Sequence, residues 1–220
     1  NVRALWDCVT ADAEVPPGAS TRWLRTLRDL SSDPATPRQY HTLEFHIDRL
    51  AALWRGMRDR GEFDSPTGVG FAVMFHDAIY DAARGDNEEK SAELWDAFCS
   101  EVDTPALRGL QGGVRDMILF TISHVAPAAA SRDAVRFLDM DLDVLGWPWD
   151  DYVRYAKGVR FEYQHVRFET YCKRRAAFLR DFAGRKLYAS PAFVVSHSAR
   201  AIENINREAG ALAIGRLPTV

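Results

Sequence analysis

The spacing of apolar residues constrains the fold of this chain more than any other feature. Between His41 and Arg60 they recur in steps of three and four, at Leu43, Ile47, Leu50, Leu53 and Trp54. This spacing is typical of an amphipathic helix. Few segments alternate apolar and polar residues, and no Asn-Gly or Asp-Gly pair marks a β-hairpin. The sequence therefore predicts an all-α fold.

Further helices are predicted between the segments that are rich in proline and glycine. The most apolar segment contains GVGFAVMFHDAIYD, and its length favours a central helix over residues 69–80. The pair Thr104-Pro105 is typical of a helix start, and that helix is expected to reach His124. The other predicted helices span residues 88–102, 132–145, 150–182 (one long helix or two in line) and 191–211.

Composition and charge limit the partners and the compartment. The formal net charge of the 220 residues is −3, so no strong field favours nucleic acid or an anionic membrane surface. No apolar run approaches the roughly 20 residues that cross a bilayer, and the N-terminal residues do not resemble a signal peptide. The three cysteines form no CxxC pair, which fits a reducing compartment. We expect a cytoplasmic protein with no membrane partner and no specific nucleic-acid partner.

A His-Asp pair lies inside the most apolar segment and suggests a metal site. Burying His76 and Asp77 without partners would be costly. A salt-bridged pair in the core is one reading. The alternative is a divalent metal ion, because further histidines and acids occur in or at the ends of other apolar helices: His46, His124, Asp139 and Asp141. Imidazole and carboxylate ligands suit Mn, Fe, Co, Ni or Zn rather than an ion that selects thiolates.

An ordered set of segments resembles a known family. It comprises RQYHTLEFHIDRL, FHDAIYD, DNEEKSAEL, ISH, FLDMDLDVLG, VRFEYQ and ARAIENINRE, between Arg38 and about Glu208. The set is similar to the HD superfamily of metal-dependent phosphohydrolases. The resemblance implies an HD-domain-like helical bundle with a long C-terminal helical extension. It also implies one domain over residues 1–220, with a core at about 38–146 and C-terminal helices at 149–211 packing on it.

The resemblance implies a set of metal ligands, namely His46, His76, Asp77 and Asp141. Asp139 is the alternative to Asp141, because the two project about 200° apart on a helix and cannot both face one ion. His41 stands five residues before His46, where the family pattern has four. It is therefore either a residue lining the site or a surface residue.

Roles in catalysis follow from the same resemblance. Asp77 would also orient the attacking water, and Asp81, one helical turn further on, would act as general base or acid or else pair with an arginine at a helix end. His124 would contact the substrate phosphate, bind a second metal or simply end its helix. Glu88 would orient a ligand or serve as a first-turn acid. Arg38 and Arg160 are the candidate phosphate-binding residues.

The expected function is that of a metal-dependent phosphohydrolase that cleaves a small phosphoester, such as a nucleotide, with metal-activated water. It would use one divalent ion (Mn, Co, Ni, Mg, Fe or Zn), and a second ion stays open. One alternative is a di-iron oxygenase of the HD type. Another is a catalytically silent HD module that binds a nucleotide or a metal. The expected partners are a small phosphorylated substrate and, as one alternative for the assembly, a second copy of the chain in a homodimer.

Overall fold

The computed structural model describes all residues from Asn1 to Val220. It contains ten α-helices and no strand, which confirms the predicted all-α class. The helices are α1 (Val2–Asp12), α2 (Pro17–Ser31), α3 (Asp48–Asp59), α4 (Pro66–Phe75), α5 (Asn87–Val102), α6 (Pro105–Phe120), α7 (Arg132–Asp141), α8 (Trp149–Glu162), α9 (Phe168–Ala183) and α10 (Pro191–Ala213). A π-helical turn (Leu43–Ile47) precedes α3, and a 3-10 turn (Leu142–Gly146) follows α7. None of the helices combines the length and apolar character needed to span a bilayer.

The chain divides into two compact units, residues 1–138 and 139–220. The boundary between the two units falls inside α7, before residue 146, which is the end of the core predicted from the sequence.

Helix α4 is the centre of the N-terminal unit. Every residue from Gly68 to Phe75 is buried, and α1, α3, α5 and α6 pack around it. A helix that is apolar on all sides must be covered on all sides. Gly70 allows the closest approach to α1, because a Cβ atom there would lie 2.5 Å from Cγ1 of Val9.

Aromatic residues fill the space between these helices. Four tryptophans are buried, namely Trp6, Trp23, Trp54 and Trp95. The ring of Phe75 lies 5.2 Å from that of Trp95 and 6.3 Å from that of Trp6. Aromatic pairs at such distances stabilise a core beyond the area they bury, so α4 is held rigidly up to its C-terminal end.

Two predicted helix boundaries were wrong. Helix α4 ends at Phe75 and not at Tyr80, because polar groups further on compete for the backbone. There the carboxylate of Asp81 accepts the N–H of Ala83, and the side chain of Asn87 bonds both backbone groups of Asp81. Helix α6 ends at Phe120, before His124. The segment 150–182 forms two helices, α8 and α9, as one of the two predicted alternatives had it.

The C-terminal unit packs α10 against α9 and the 3-10 turn. Its interior holds an ion pair between Arg175 and Glu208, with Nε 3.1 Å from Oε1. The hydroxyl of Tyr152 donates to the other carboxylate oxygen of Glu208 at 2.6 Å. Glu208 is 1% exposed, so it needs both partners. The Arg175 side chain is 14% exposed and lies opposite Glu208 in this interior.

Candidate metal centre

A π-helical turn presents the first histidine. Thr42 precedes the turn, and its hydroxyl accepts the N–H of Phe45. The N–H of Ile47 donates to the carbonyl of Thr42, five residues earlier, at 3.1 Å. Such a turn widens the helix by one residue and occurs frequently at functional sites. It turns His46 into the interior, where the residue is 3% exposed. His41 precedes the turn and so lies outside the helix.

Three side chains converge on one point in the N-terminal unit. The Nε2 atoms of His46 and His76 lie 3.2 Å apart. Oδ2 of Asp77 lies 3.2 Å from Nε2 of His76 and 3.5 Å from Nε2 of His46. These residues form a group that could hold a metal ion. His46 comes from the turn before α3, and the other two come from the end of α4.

The second nitrogen of His76 defines its protonation. Nδ1 lies 3.1 Å from the carbonyl oxygen of Val73 and 3.3 Å from that of Ala72. A carbonyl oxygen only accepts hydrogen bonds, so Nδ1 carries the proton. Nε2 is then the nitrogen that faces Asp77 and His46, and a backbone carbonyl orients the ring as in many histidine ligands of metals.

The geometry of the three atoms fits a single ion. Bonds of about 2.1 Å to one ion place neighbouring ligand atoms about 3.0 to 3.4 Å apart in octahedral or tetrahedral geometry. Two of the observed separations, at 3.2 Å each, lie in that range, and the third, at 3.5 Å, lies just above it. Two nitrogens and one oxygen suit a borderline or hard divalent cation. His46, His76 and Asp77 therefore fit a divalent ion.

The cluster favours a negative charge on Asp77. Burial alone would raise the pKa of the Asp77 carboxyl. The charge and hydrogen bond of His76, and the charges of His41 and His46, outweigh that effect and hold the pKa far below its ordinary value. Asp77 is therefore ionised near neutral pH, as a metal ligand must be.

Aromatic rings surround the cluster. The buried ring of Tyr40 lies 4.8 Å from that of His46, and the ring of Phe137 lies 5.4 Å from that of His76. The ring of His41 stacks on Tyr80 at 4.1 Å. His41 thus lies beside the site. The place of Tyr40 and Tyr80 beside the site was not predicted from the sequence. The only sequence signal for it is that they lie close to His41 and to His76-Asp77 in the chain.

Glu88, at the start of α5, is electrostatically linked to the cluster. Burial raises the pKa of Glu88, the carboxylates of Asp77 and Glu89 raise it further, and the charge of His124 acts in the opposite direction. His124 follows the end of α6 and has a φ of 53°, an uncommon conformation for a non-glycine residue. Glu88 and His124 therefore belong to the electrostatic surroundings of Asp77. The predicted roles of Glu88 in orienting a ligand and of His124 in contacting the substrate phosphate stay predictions.

Asp81 does not share a helical face with Asp77, since α4 ends before both. The helical reason given for its role was therefore wrong, although the role itself stays a prediction. Asp81 lines an open cleft of about 660 Å³, together with Arg38, Tyr80 and Arg84. None of the three converging ligand residues lines that cleft.

The other predicted site residues lie in the C-terminal unit. Both carboxylate oxygens of Asp139 accept backbone N–H groups, from Ala189 at 2.8 Å and from Ser190 at 2.7 Å. Because Asp139 is used in this way, Asp141 is favoured over Asp139 as the fourth metal ligand. Metal binding by Asp141 stays a prediction. The guanidinium of Arg160 donates to the carbonyls of Tyr163 and Val166. These contacts tie the end of α8 to the following loop, and phosphate binding by Arg160 stays a prediction.

One close contact between a histidine and a carboxylate in the C-terminal unit was not predicted from the sequence. Nε2 of His197 lies 2.9 Å from Oδ1 of the buried Asp143. The imidazole packs on Gly146, where a Cβ atom would lie 2.5 Å from its Cδ2. The pair links α10 to the 3-10 turn.

Fold and site together define an all-helical protein with a buried His-His-Asp group suited to a divalent metal ion. Comparison with protein families, with curated proteins and with solved structures gave no match.

Proposed function

We propose that this chain is a metal-dependent phosphohydrolase that acts on a small phosphoester. The observation that carries the proposal is the convergence of Nε2 of His46, Nε2 of His76 and Oδ2 of Asp77 within 3.5 Å of one another. The resemblance to the HD superfamily supports it, because these residues match the first three metal ligands of that pattern. Asp141 is the proposed fourth ligand.

The charge of the site suits a phosphate. Two neutral histidines and one or two carboxylates leave a divalent ion with open positions and no net negative charge, so an anionic substrate is not repelled. A bound divalent ion would acidify water and polarise a phosphoryl oxygen. The whole chain has a formal net charge of −3, so attraction of the substrate must be local.

The chain's own groups have separate tasks in this proposal. The Val73 carbonyl holds the proton of His76 at Nδ1 and keeps Nε2 free to ligate. Tyr40 and Phe137 cover the imidazoles of His46 and His76 and limit access of water from those sides. Glu88, whose pKa is raised, is suited to hold a proton close to the reacting groups.

Metal content and phosphate release test the proposal. Purified protein is loaded with Mn²⁺ or Co²⁺ and assayed for phosphate release from p-nitrophenyl phosphate and a panel of nucleotides. His76→Ala and Asp77→Asn are expected to lose more than about a hundredfold in activity, since loss of a mere outer-shell group costs 10- to 100-fold. His165→Ala, at an exposed histidine stacked on Tyr163, serves as the control and is expected to retain activity.

Two results would contradict the proposal. One ion bound per chain without phosphate release from any substrate would favour a silent binding module. Two irons per chain with consumption of dioxygen would favour an oxygenase, in which Glu88 and His124 would be the natural candidates for further ligands because they lie in the electrostatic surroundings of Asp77.

A further inference from the structure

We infer that Arg38 is a positioning residue that holds the metal ligand Asp77 in place, and that it does not bind the substrate phosphate. The inference rests on the proposed function. Nη1 of Arg38 donates to the backbone carbonyl of Asp77 at 2.7 Å, and Nη2 donates to that of Ala78 at 3.2 Å. One guanidinium thus spans two consecutive carbonyls.

These carbonyls need a partner because α4 has ended. The last intrahelical bonds run from the N–H of His76 to Ala72 and from the N–H of Ala78 to Phe75. Carbonyl groups at and beyond a helix end lack donors within the helix. Arg38 supplies two donors from a segment that is nearly forty residues earlier in the chain.

The peptide that Arg38 holds belongs to the ligand itself. Asp77 directs its carboxylate toward His46 and His76 while its carbonyl faces Arg38. Restraining the carbonyl therefore restrains the rotation of the residue, and with it the direction of Oδ2. A ligand held in advance loses less conformational entropy when the ion binds.

The space around Arg38 argues against a phosphate between it and the ligand. A cavity of about 10 Å³, lined by Arg38, His41 and Asp77 among others, lies there. That volume holds one water molecule and is too small for a phosphate group. On the other side, Cζ of Arg38 lies 5.7 Å from the centre of the Tyr80 ring, which stacks on His41.

The test compares the metal affinity of Arg38 variants with that of a control variant in which another arginine is replaced. Arg84 lines the same 660 Å³ cleft as Arg38 but is exposed and pairs with Asp86. Affinity for Co²⁺ is measured by calorimetry and by the visible absorption of the bound ion in wild type, Arg38→Lys, Arg38→Gln and Arg84→Gln. Arg38→Lys keeps the charge but cannot reproduce the two parallel donors.

We expect both Arg38 variants to bind Co²⁺ 10- to 100-fold more weakly, as for loss of other groups that orient a ligand, and to alter the absorption spectrum. Arg84→Gln is expected to match wild type. With saturating Co²⁺ the Arg38 variants should recover their KM for the phosphoester, because no substrate contact is lost.

Folded Arg38 variants with unchanged Co²⁺ affinity would overturn the inference, as would a raised KM that saturating metal does not restore. If Arg38→Gln does not fold, Arg38→Lys decides by the same two measurements. Failure of wild-type protein to bind Co²⁺ would refute the proposed function itself, and so differs from failure of this inference.

Discussion

Oδ2 of Asp139 accepts a 2.7 Å hydrogen bond from the backbone N–H of Ser190, the residue that precedes α10. With the second bond, from the N–H of Ala189 to Oδ1, both carboxylate oxygens take part in joining α7 to the start of α10. Two aspartates that are equivalent in the sequence pattern thereby become different. Asp139 has a structural task, and Asp141 is the proposed ligand.

The first prediction separates these aspartates. Asp139→Ala leaves two part-buried N–H groups without this acceptor and should lower the free energy of unfolding by about 1 to 3 kcal/mol, with Co²⁺ affinity unchanged. Asp141→Ala should weaken Co²⁺ binding at least about tenfold with a smaller loss of stability. Urea unfolding and calorimetric titration measure both quantities. The reverse pattern would make Asp139 the ligand.

A second prediction concerns Glu88, whose raised pKa makes its charge unfavourable in the folded protein. The folded state retains this proton to a higher pH than the unfolded state, in which the pKa is about 4.3. The free energy of unfolding therefore falls as the pH rises from the pKa of Glu88 in the unfolded state to its higher pKa in the folded state. Glu88→Gln should be more stable than wild type near pH 7, and the difference should vanish below about pH 4.

Glu89→Gln is the matched control, since Glu89 is exposed and lies in the same first turn of α5. Both substitutions remove an acid that the helix dipole favours. Only Glu88→Gln is expected to change the pH dependence of urea unfolding. If the free energy of unfolding depended on pH in the same way in both variants, burial of the Glu88 carboxylate would not destabilise the folded protein.

A third prediction concerns the contact between α1 and α4. Gly70→Ala places a methyl group 2.5 Å from Cγ1 of Val9, a side chain with little freedom to move. We expect a loss of about 1 to 3 kcal/mol from overpacking. Gly112→Ala, in α6 with no atom within 4 Å of the new methyl, should instead gain about 0.5 to 1 kcal/mol. Thermal unfolding of the two variants should thus shift Tm in opposite directions.

The fourth prediction concerns the interior of the C-terminal unit. Arg175→Met leaves Glu208 buried without its cation and should lower the free energy of unfolding by about 3 to 5 kcal/mol. The control, Arg185→Met, removes an exposed pair with Asp181 and should change it by less than about 1 kcal/mol. Similar effects from both substitutions in urea unfolding would mean that burial does not distinguish the two pairs.

Much of the fold and part of the site follow from local patterns in the sequence. The all-α class is confirmed, since helical spacing and the absence of hairpin signals are properties of short windows. Thr104 was correctly predicted to start α6, and its hydroxyl accepts the N–H of Leu107. The three residues His46, His76 and Asp77 were singled out because polar ligand-type residues interrupt apolar segments, and they do converge.

Other features depend on residues that are distant in the chain. The sequence alone could not end α4 at Phe75, because the competing bonds involve Asn87 in the next helix. The roles of Arg38 and Asp139 likewise depend on carbonyl and N–H groups about 40 and 50 residues away.

The sequence by itself determined the helical class, through its apolar periodicity, and the residue types that are available to bind a metal. Only the tertiary structure decided which charged groups became buried, as Arg175 and Glu208 did, and which were already occupied, as Asp139 is. The physical reason is that periodicity records whether a residue prefers water, whereas the partner of a buried charge or backbone group is chosen when distant segments pack.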